Sequence, residues 1–422
     1  MSGAAAPPRR RRGGKVKARL PRIGLALAGG GPLGGIYEIG ALLALSESLD
    51  GLEIDDLDVY VGVSSGGFVA AALANGISPA QMYRLFIEDD GEAGLSPSLF
   101  LRPALREFAR RALSVPKLLA EATAVYLRHP WRGSVLDAYA ALGRAIPTGV
   151  FDQRALDAFL RRLFTSGNRS DDFRQLPRQL FLVATDLDSG TSVTFGGAGA
   201  DHVPISKALQ ASAALPGLFP PVRIDGRQYV DGALNKTLHA SVALDRGVHL
   251  LLCINPLVPF DAGAASRNGR PAVGKLDRGG LPLVLAQTFR ALVHSRMKVG
   301  MEKYRQQYPD ADVLLFEPER EDADMFFASI FSYAHRERLC EAAYRSTRRN
   351  LLARQALLVP VLARHGIRLN LERLSDTRRS IASAINDPRP LPTGRRGVRR
   401  ATRDLAHTLD QLEAWLAAAS AT

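Results

Sequence analysis

Twice within the first 75 residues, a short apolar run ends in a glycine-rich turn and is followed by a helical pattern. The first run, Ile23 to Ala28, leads into Gly29–Gly34, and the second, Val59 to Val61, leads into Gly62–Gly66. Apolar residues three and four positions apart indicate a helix after the first turn, as far as Asp50. Strands that alternate with helices are typical of a mainly parallel sheet covered by helices, because parallel strands need long crossover connections. The N-terminal half is therefore expected to be an α/β structure.

The composition suits a chain that buries a core. Hydrophobic residues make up 46% of the 422 residues, charged residues make up 23%, and the mean hydropathy is −0.04. At roughly 150 residues per domain, this length allows two or three domains, or one large domain with additions. No apolar run approaches the length of about 18 residues that a membrane-spanning helix needs, and the run from Ile23 to Ala28 is too short for a signal-peptide core. We therefore expect a globular, cytoplasmic protein without a Sec signal.

The cysteine content predicts no disulfide framework and no zinc site. Cys253 lies in an apolar, strand-like run and Cys340 lies in a helical run, far apart in the sequence. Two such residues are too few for either kind of site. We expect reduced thiols that pack like small apolar side chains.

Positive charge is concentrated in two segments, one near each end of the sequence. The net charge is +13; residues 1–22 contain eight Lys or Arg and no acid, and residues 378–403 contain eight Arg and one Asp. Such segments suit an anionic membrane surface, where each Lys or Arg contributes on the order of 1 kcal/mol, and they also suit a solvated disordered tail. Specific nucleic-acid recognition is not expected, because no aromatic residue interrupts the N-terminal run and no nucleic-acid motif accompanies it.

Further strands and helices follow the first two units. We expect strands at Gln179–Ala184, Ser192–Phe195, Val222–Ile224, Gln228–Val230, Val248–Ile254 and Asp312–Phe316. The dipeptide Asp225-Gly226 predicts a two-residue hairpin between two of these strands. We expect helices over 36–50, 68–74, 118–127, 282–308 and 326–361, and a terminal helix with Leu405, Leu409, Leu412 and Leu416 on one face. Residues 258–280 show little periodicity, and the core sheet is expected to end before them.

The second glycine-rich turn matches the G-x-S-x-G nucleophile elbow, with Ser64 at its centre. It lies between a buried strand and a helix of small residues, as that motif requires. Gly62 and Gly66 allow strand and helix to approach closely, so that the serine side chain is pushed out of a strained turn. Ser65 does not fit, because in its frame the first glycine would be Val63.

The first glycine-rich turn has two interpretations. It spells G-x-G-x-x-G, the dinucleotide-binding fingerprint, and Asp50 or Glu53 stands about 20 residues later, where a ribose-binding acid is expected. Alternatively, it is an oxyanion hole for acyl transfer, with the N–H groups of Gly30 and Gly31 as donors. An exposed serine on the neighbouring turn favours the second interpretation, because a dinucleotide-binding protein has no use for it.

A serine nucleophile needs a base to accept its proton. None of the eight histidines follows a strand in a strong turn motif, and His239 fits least badly. Asp231 opens Asp231-Gly232-Ala233 directly after a predicted hairpin strand, which would place a carboxylate at a strand end beside another glycine. The alternative carboxylate, Asp225, is better explained by the hairpin turn.

Glycine cluster, serine elbow and Asp-Gly stand in the order in which they occur in the patatin-like phospholipases, and the sequence resembles that family over roughly residues 22–257. Two further blocks, Ala184–Gly190 and Ala211–Pro221, are similar to the segments that connect these motifs in the family. The resemblance implies a three-layer α/β/α patatin-like fold with a mainly parallel central sheet. It also implies a Ser-Asp dyad, no catalytic histidine, and no metal or cofactor.

By this resemblance, Ser64 corresponds to the nucleophile and Asp231 to the base. Gly29, Gly30, Gly31 and Gly34 correspond to the oxyanion loop. One position departs from the pattern: the family usually carries Lys or Arg just before the last loop glycine, and here that residue is Leu33. Because a cation near the ester or the headgroup phosphate is missing, the departure concerns the choice of substrate more than the type of reaction.

The resemblance and the charge pattern together predict five segments. We expect a basic disordered tail over 1–21, a catalytic domain over 22–257 with a helical cap insertion at about 95–165, and a mobile loop over 258–280. A mainly helical extension packed on the core follows over 281–377, and a basic linker with a terminal amphipathic helix occupies 378–422. The cap insertion and the apolar run Met325–Phe331 are candidates for an acyl-chain pocket or lid, although both could simply pack between helices.

The sequence therefore predicts a serine acyl-ester hydrolase that acts on lipids, with a lipid substrate and peripheral contact with an anionic membrane through the basic tails. A catalytically weak membrane-associated scaffold of the same fold is the main alternative. A dinucleotide-binding oxidoreductase and a histidine-dependent α/β-hydrolase that uses His239 are the others. Phospholipid, neutral glyceride, lysolipid and stored polyester all remain open as substrates.

Overall fold

The strands were located in a computed structural model that describes residues 21–88, 102–128, 145–267, 280–321 and 335–386, with isolated residues at 402, 405 and 409. The strands are β1 (Ile23–Leu27), β2 (Leu49–Asp50), β3 (Val59–Gly62), β4 (Gln179–Asp186), β5 (Ser192–Phe195), β6 (Val222–Ile224), β7 (Arg227–Asp231), β8 (Leu250–Ile254), β9 (Asp312–Phe316) and β10 (Arg368–Leu369).

The described helices flank these strands. They are α1 (Gly31–Ser48), α2 (Ser65–Ala74), α3 (Pro79–Tyr83), α4 (Leu105–Arg128), α5 (Arg154–Thr165), α6 (Ile205–Ser212), α7 (Ala240–Leu244), α8 (Ala262–Arg267), α9 (Gly280–Gln307), α10 (Arg336–Ala353), α11 (Gln355–Arg364), α12 (Leu371–Ser375) and α13 (Ile381–Asn386).

One eight-stranded sheet forms the centre of the fold. Its order is β6-β7-β4-β3-β1-β8-β9, with β5 paired to β4 outside this path. The pairs from β4 through β3, β1 and β8 to β9 are parallel, and the pairs of β4 with β5, β4 with β7 and β6 with β7 are antiparallel. The predicted mainly parallel sheet is confirmed.

The two faces of the sheet are covered by different helices. Alternate side chains of a strand point to opposite faces, and in β1 Leu25 and Leu27 join a core that includes α1, α2 and α10. Ala26 joins a second core with α7 and α9, which contributes Met297 and Met301. The fold is therefore a three-layer α/β/α structure, as the sequence predicts.

The sheet does not end before residue 258, so that prediction was wrong. β9 lies beyond the segment 258–280 and pairs in parallel with β8, from Leu250 opposite Asp312 to Ile254 opposite Phe316. The strand itself was recognisable as an apolar run, but its partner lies about 60 residues away and is selected by packing.

Two other predictions differ from the structure. The predicted helix over 326–361 is divided into α10 and α11 at Arg354, and residues 322–334 lie outside the described part of the chain. Within 258–280, Ala262–Arg267 form a short helix, and residues 268–279 are not described. The apolar run Met325–Phe331, residues 1–20, and most of the terminal segment from 387 also lie outside the described residues.

Of residues 95–165, which the sequence predicts to be a cap insertion, the structure describes 102–128, with α4, and 145–165, with α5. This segment contacts the loop after α6, where the N–H of Phe151 donates to the carbonyl oxygen of Leu218 at 2.8 Å. The rings of Phe151 and Phe219 lie 6.2 Å apart. None of the helices in the described ranges is long and apolar enough to cross a bilayer.

Candidate active site

The two glycine-rich turns and the Asp-Gly turn meet at one edge of the sheet. β1 and β3 are parallel neighbours, so the segments that follow them leave the sheet side by side. A methyl group built on Gly29 would lie 3.0 Å from Cβ of Ser64 and 3.2 Å from Cβ of Ala233. The structure thus brings together residues that stand about 35 and 205 positions apart in the sequence.

Ser64 occupies a strained backbone conformation between β3 and α2. Its φ is 54° and its ψ is −125°, a region that non-glycine residues seldom adopt and that costs about 1–3 kcal/mol. Its carbonyl oxygen accepts hydrogen bonds from the N–H groups of Gly67 (3.0 Å) and Phe68 (3.3 Å). The strand-turn-helix geometry predicted for a nucleophile elbow is therefore present at this serine.

Gly62 and Gly66 allow the tight turn around Ser64. A Cβ on Gly62 would lie 2.5 Å from the carbonyl oxygen of Gly66, and a Cβ on Gly66 would lie 2.6 Å from the carbonyl oxygen of Ala28. These atoms belong to the backbone and cannot move aside as a side chain can. Any larger residue at either position would separate α2 from the sheet.

Asp231 is the last residue of β7, opposite Ala184 of β4. Its side chain is buried, and one carboxylate oxygen accepts a hydrogen bond from the N–H of Ala233 at 2.8 Å. Burial raises the pKa of this carboxyl to about 6, although hydrogen bonds from the Ala233 N–H and from the Ser64 side chain act in the opposite direction. Ser64 and Asp231 therefore lie at the same junction of turns, and burial keeps the carboxyl protonated to a higher pH than an ordinary aspartate.

Gly232 makes the Asp-Gly turn possible. A Cβ at this position would lie 2.3 Å from the carbonyl oxygen of Val183 in β4. The following residue, Ala233, begins one turn of 3₁₀ helix over Gly232–Leu234, and the Asp231 side chain caps that turn. The turn therefore holds the carboxylate at the sheet edge.

The first glycine-rich turn opens α1. Gly31 has a φ of +63°, and a Cβ built there would meet nothing within 4 Å among the described residues. The N–H groups in the first turn of a helix have no acceptor within the helix and favour negative charge. Gly30 differs, because its N–H donates to Oγ of Ser65 at 3.0 Å.

Gly30 and Gly34 have a second role. A Cβ on Gly30 would lie 2.5 Å from Cγ of Pro256, and a Cβ on Gly34 would lie 3.0 Å from the same atom. Pro256 follows β8, so these glycines let the loop lie against the neighbouring strand end. Leu33, which replaces the basic residue usual in the resembled family, is buried in the core with α1.

His239 lies behind the Asp-Gly turn. Its Nε2 lies 3.5 Å from the carbonyl oxygen of Gly232, and burial lowers its pKa to about 4. The imidazole is therefore neutral at physiological pH.

Asp50 and Glu53, the acids required by the dinucleotide interpretation, follow the opposite end of α1 from the glycine loop. Eighteen helical residues at 1.5 Å per residue separate the two ends by about 27 Å. Asp50 pairs with Arg368 and accepts a hydrogen bond from Asn370. Its position is incompatible with a ribose beside the glycine loop.

Three residues without a role predicted from the sequence also contact the predicted site: Ser65, Ser212 and Pro256. Ser212 lies in the block Ala211–Pro221, and its Oγ accepts a hydrogen bond from the N–H of Ser64 at 2.9 Å. The available signal was a hydroxyl residue within a run of small apolar residues. Within the described ranges, no cluster of three or more His, Cys, Asp or Glu side chains is arranged to hold a metal ion.

Comparison with known families identifies one match over the region that contains these turns. The model of the family described as "Patatin-like phospholipase" matches residues 25–244, which include both glycine-rich turns and Asp231. Uncharacterized NTE family proteins of Mycobacterium bovis and Mycobacterium tuberculosis are 34% identical over 99 residues. That stretch covers 24% of this chain and 26% of the length of each relative.

Solved structures with a similar arrangement include VipD from Legionella pneumophila, with 17% identity, coverage of 79% of this chain and 67% of VipD, and a TM-score of 0.38. Human GIVD cytosolic phospholipase A2, in complex with methyl gamma-linolenyl fluorophosphonate, is 15% identical, and the match covers 82% of this chain and 59% of that protein, with a TM-score of 0.33. ExoU of Pseudomonas aeruginosa, in complex with SpcU, is 19% identical, and the match covers 79% of this chain and 53% of that chain, with a TM-score of 0.29. Identities this low do not carry a reaction over to this chain.

Proposed function

Because this chain belongs to the patatin-like phospholipase family, we propose that it is a lipid acyl-ester hydrolase with Ser64 as nucleophile and Asp231 as base. The observation that carries the proposal is a serine in a strained turn at the same junction of turns as a buried carboxyl whose pKa is raised to about 6. A base with a pKa near the working pH is largely ionised and still accepts a proton in the transition state.

The proposed reaction has two halves. Asp231 takes the proton of Ser64 as Oγ attacks the ester carbonyl, and the tetrahedral intermediate collapses when the leaving alcohol receives that proton. Water then attacks the acyl-enzyme and gives a proton to Asp231. Collapse of the second intermediate releases the fatty acid and returns the proton to Ser64.

The first turn of α1 is the proposed oxyanion site. Gly31 is the first residue of α1, where N–H groups have no acceptor within the helix, and loss of one oxyanion donor costs about 2.7–4 kcal/mol in comparable enzymes. The N–H of Gly30 donates to Ser65 Oγ in the substrate-free enzyme. Its use as a second donor requires it to exchange this acceptor for the oxyanion.

The proposal is tested by hydrolysis of a short p-nitrophenyl ester and of mixed-lipid micelles by wild type, Ser64→Ala and Asp231→Asn. We expect both variants to stay folded by circular dichroism and to fall at least a thousandfold in kcat. His239→Gln is the comparison variant and should keep most of the activity, because Asp231 is the proposed base. Wild-type turnover no faster than that of Ser64→Ala would instead favour the scaffold alternative, for which the apolar Leu33 is the supporting feature.

We also propose that the basic segments attach the enzyme to anionic lipid. Residues 378–386 belong to the packed structure, since Ile381 is buried and Arg379 pairs with Glu47. A useful truncation therefore removes 387–422 and leaves α13 in place. Binding to vesicles with 30% anionic lipid should weaken on removal of 1–20 or 387–422 and as salt rises from about 0.05 M to 0.5 M, because salt screens surface charge. Binding that ignores salt would contradict electrostatic attachment.

A further inference from the structure

The block Ala211–Pro221 has a family resemblance but no assigned role. Its first residues lie directly beneath both proposed catalytic residues. We propose that Ser212 is a positioning residue that holds the backbone of Ser64 in its strained conformation and so keeps the serine Oγ on Asp231. This inference rests on the proposed function and assigns a residue to it that does not touch the substrate.

The hydroxyl of Ser212 joins three elements. Ser212 is the last residue of α6 and is fully buried. Its Oγ accepts a hydrogen bond from the N–H of Ser64 at 2.9 Å and donates one to the carbonyl oxygen of Val183 in β4 at 2.6 Å. Because the donor proton goes to Val183, the oxygen lone pairs are directed toward the elbow. The Ser212 side chain therefore links β4 to the turn that contains Ser64.

The same short segment also holds the base. Two residues after Ser212, the carbonyl oxygen of Ala214 accepts a hydrogen bond from the N–H of Asp231 at 3.0 Å. The main-chain amides of Ser64 and Asp231 thus both donate to a stretch of three residues. Their relative position depends on this stretch as well as on the sheet.

The strained backbone of Ser64 explains why this link through Ser212 is needed. A residue with a φ of 54° persists only where the surroundings over-determine it. Removal of the Ser212 hydroxyl leaves the Ser64 N–H without this acceptor and allows the turn to relax. A misplacement of about 1 Å between reacting groups can lower a rate by about a hundredfold.

The matched control is Ser206. It lies on the same helix, is fully buried, and its Oγ donates to Asp171 at 2.7 Å. Ser206→Ala therefore removes a comparable buried hydroxyl, but from a hydrogen bond that does not involve Ser64 or Asp231. A purely structural role of Ser212 predicts the same outcome for both substitutions.

The test compares kcat, KM, Tm and the pH profile of Ser212→Ala, Ser212→Thr and Ser206→Ala with the wild type. We expect Ser212→Ala to lose ten- to a hundredfold in kcat with KM within about threefold. Its acid limb should move to higher pH, because the hydrogen bond from Ser64 lowers the pKa of Asp231. Ser212→Thr, which keeps a hydroxyl, should recover part of kcat, and Ser206→Ala should lose stability with kcat unchanged.

Two outcomes separate this inference from the proposed function. If Ser64→Ala is inactive while Ser212→Ala keeps the kcat and pH profile of Ser206→Ala, the positioning role is overturned and the hydrolase proposal stands. If Ser64→Ala is as active as the wild type, the hydrolase proposal itself fails. Should Ser212→Ala not fold, Ser212→Cys, which keeps the side-chain size but accepts hydrogen bonds weakly, must show the same loss of kcat.

Discussion

Burial makes Asp231 a carboxyl that ionises near neutral pH. Desolvation of the charged form is the largest influence on its pKa, and the hydrogen bonds from Ala233 and Ser64 only partly offset it. His239 lies eight residues after Asp231 in the sequence. It is neutral for the same physical reason, because burial lowers the pKa of a base. At the residue scale, the site therefore combines an ionisable carboxyl with an imidazole that carries no charge.

The pH dependence of hydrolysis follows from the state of Asp231. The base must be ionised to accept the Ser64 proton, so we expect kcat/KM to rise with pH along a single acid limb centred near pH 6. Steady-state kinetics on the p-nitrophenyl ester between pH 4.5 and 8 measure this limb. A midpoint near the ordinary value of aspartate, about 3.9, would contradict a buried base.

The same shift predicts how Asp231 affects stability. Between the ordinary value of 3.8 and about 6, the folded chain holds a proton that the unfolded chain has lost, so protonation favours folding in this range. This stabilisation is lost as pH rises through 6. Above that pH, ionised Asp231 lowers the free energy of unfolding by about 3 kcal/mol, because one pKa unit corresponds to 1.36 kcal/mol.

Asp231→Asn removes the charge and keeps the shape. We expect its free energy of unfolding in urea to exceed that of the wild type by about 3 kcal/mol at pH 7.5, and by much less at pH 4.5, where the wild-type carboxyl is protonated. An equal difference at the two pH values would indicate a cause other than ionisation. The substitution should thus stabilise the fold while it abolishes the proposed activity.

Around the elbow, β1, α1 and α2 approach one another so closely that there is no room for side chains between them. Gly66 lies in the first turn of α2 against the backbone of Leu27 and Ala28. The hydrogen bond from Gly30 N–H to Ser65 Oγ links the beginnings of α1 and α2. The geometry of the two turns is therefore set jointly.

Gly66→Ala should separate these elements. Its Cβ would lie 2.6 Å from the Ala28 carbonyl oxygen, so we expect a loss of about 3 kcal/mol in unfolding free energy and loss of hydrolysis. Gly35→Ala is the control, because its Cβ would make an ordinary 3.7 Å contact with Ser65 and alanine favours a helix by about 1 kcal/mol. The unfolding free energies of both variants are measured in urea. An equal loss in Gly35→Ala would contradict this explanation.

In the described part of the chain, the C-terminal helices are joined to the α/β core through α1. Glu47, buried near the end of α1, pairs with Arg348 and Arg379 and accepts a hydrogen bond from the Tyr344 hydroxyl at 2.6 Å. Arg348 also donates to main-chain carbonyl oxygens at the end of α12, including that of Asp376 at 2.8 Å. The extension proposed for residues 281–377 is thus connected to the helix that opens at the glycine loop.

Glu47→Gln should weaken that connection. It leaves the buried Arg348 and the half-buried Arg379 without this carboxylate, and breaking a buried pair typically costs 3–5 kcal/mol. Asp50→Asn, which breaks a pair with the largely exposed Arg368, should cost less than about 1 kcal/mol. The two variants are compared by urea unfolding, and equal losses would refute the importance assigned to this cluster.

Local patterns along the chain were sufficient for much of the fold. The pattern of apolar residues predicted the eight strands of the central sheet and several of the helices, and Asp225-Gly226 predicted a hairpin whose turn residues do have positive φ values of 48° and 83°. The glycine turns and the Asp-Gly pair also marked the candidate site residues in advance. These features depend on near neighbours in sequence, which is why the sequence carries them.

The tertiary structure decided what distant residues do to one another. It paired β9 with β8, directed the Gly30 N–H to Ser65 and placed Ser212 under Ser64, 148 positions away in the sequence. It also buried Asp231 and His239, and that burial sets their pKa values. A single sequence does not specify such contacts, because each depends on how whole elements pack and on which backbone donors that packing leaves without a local partner.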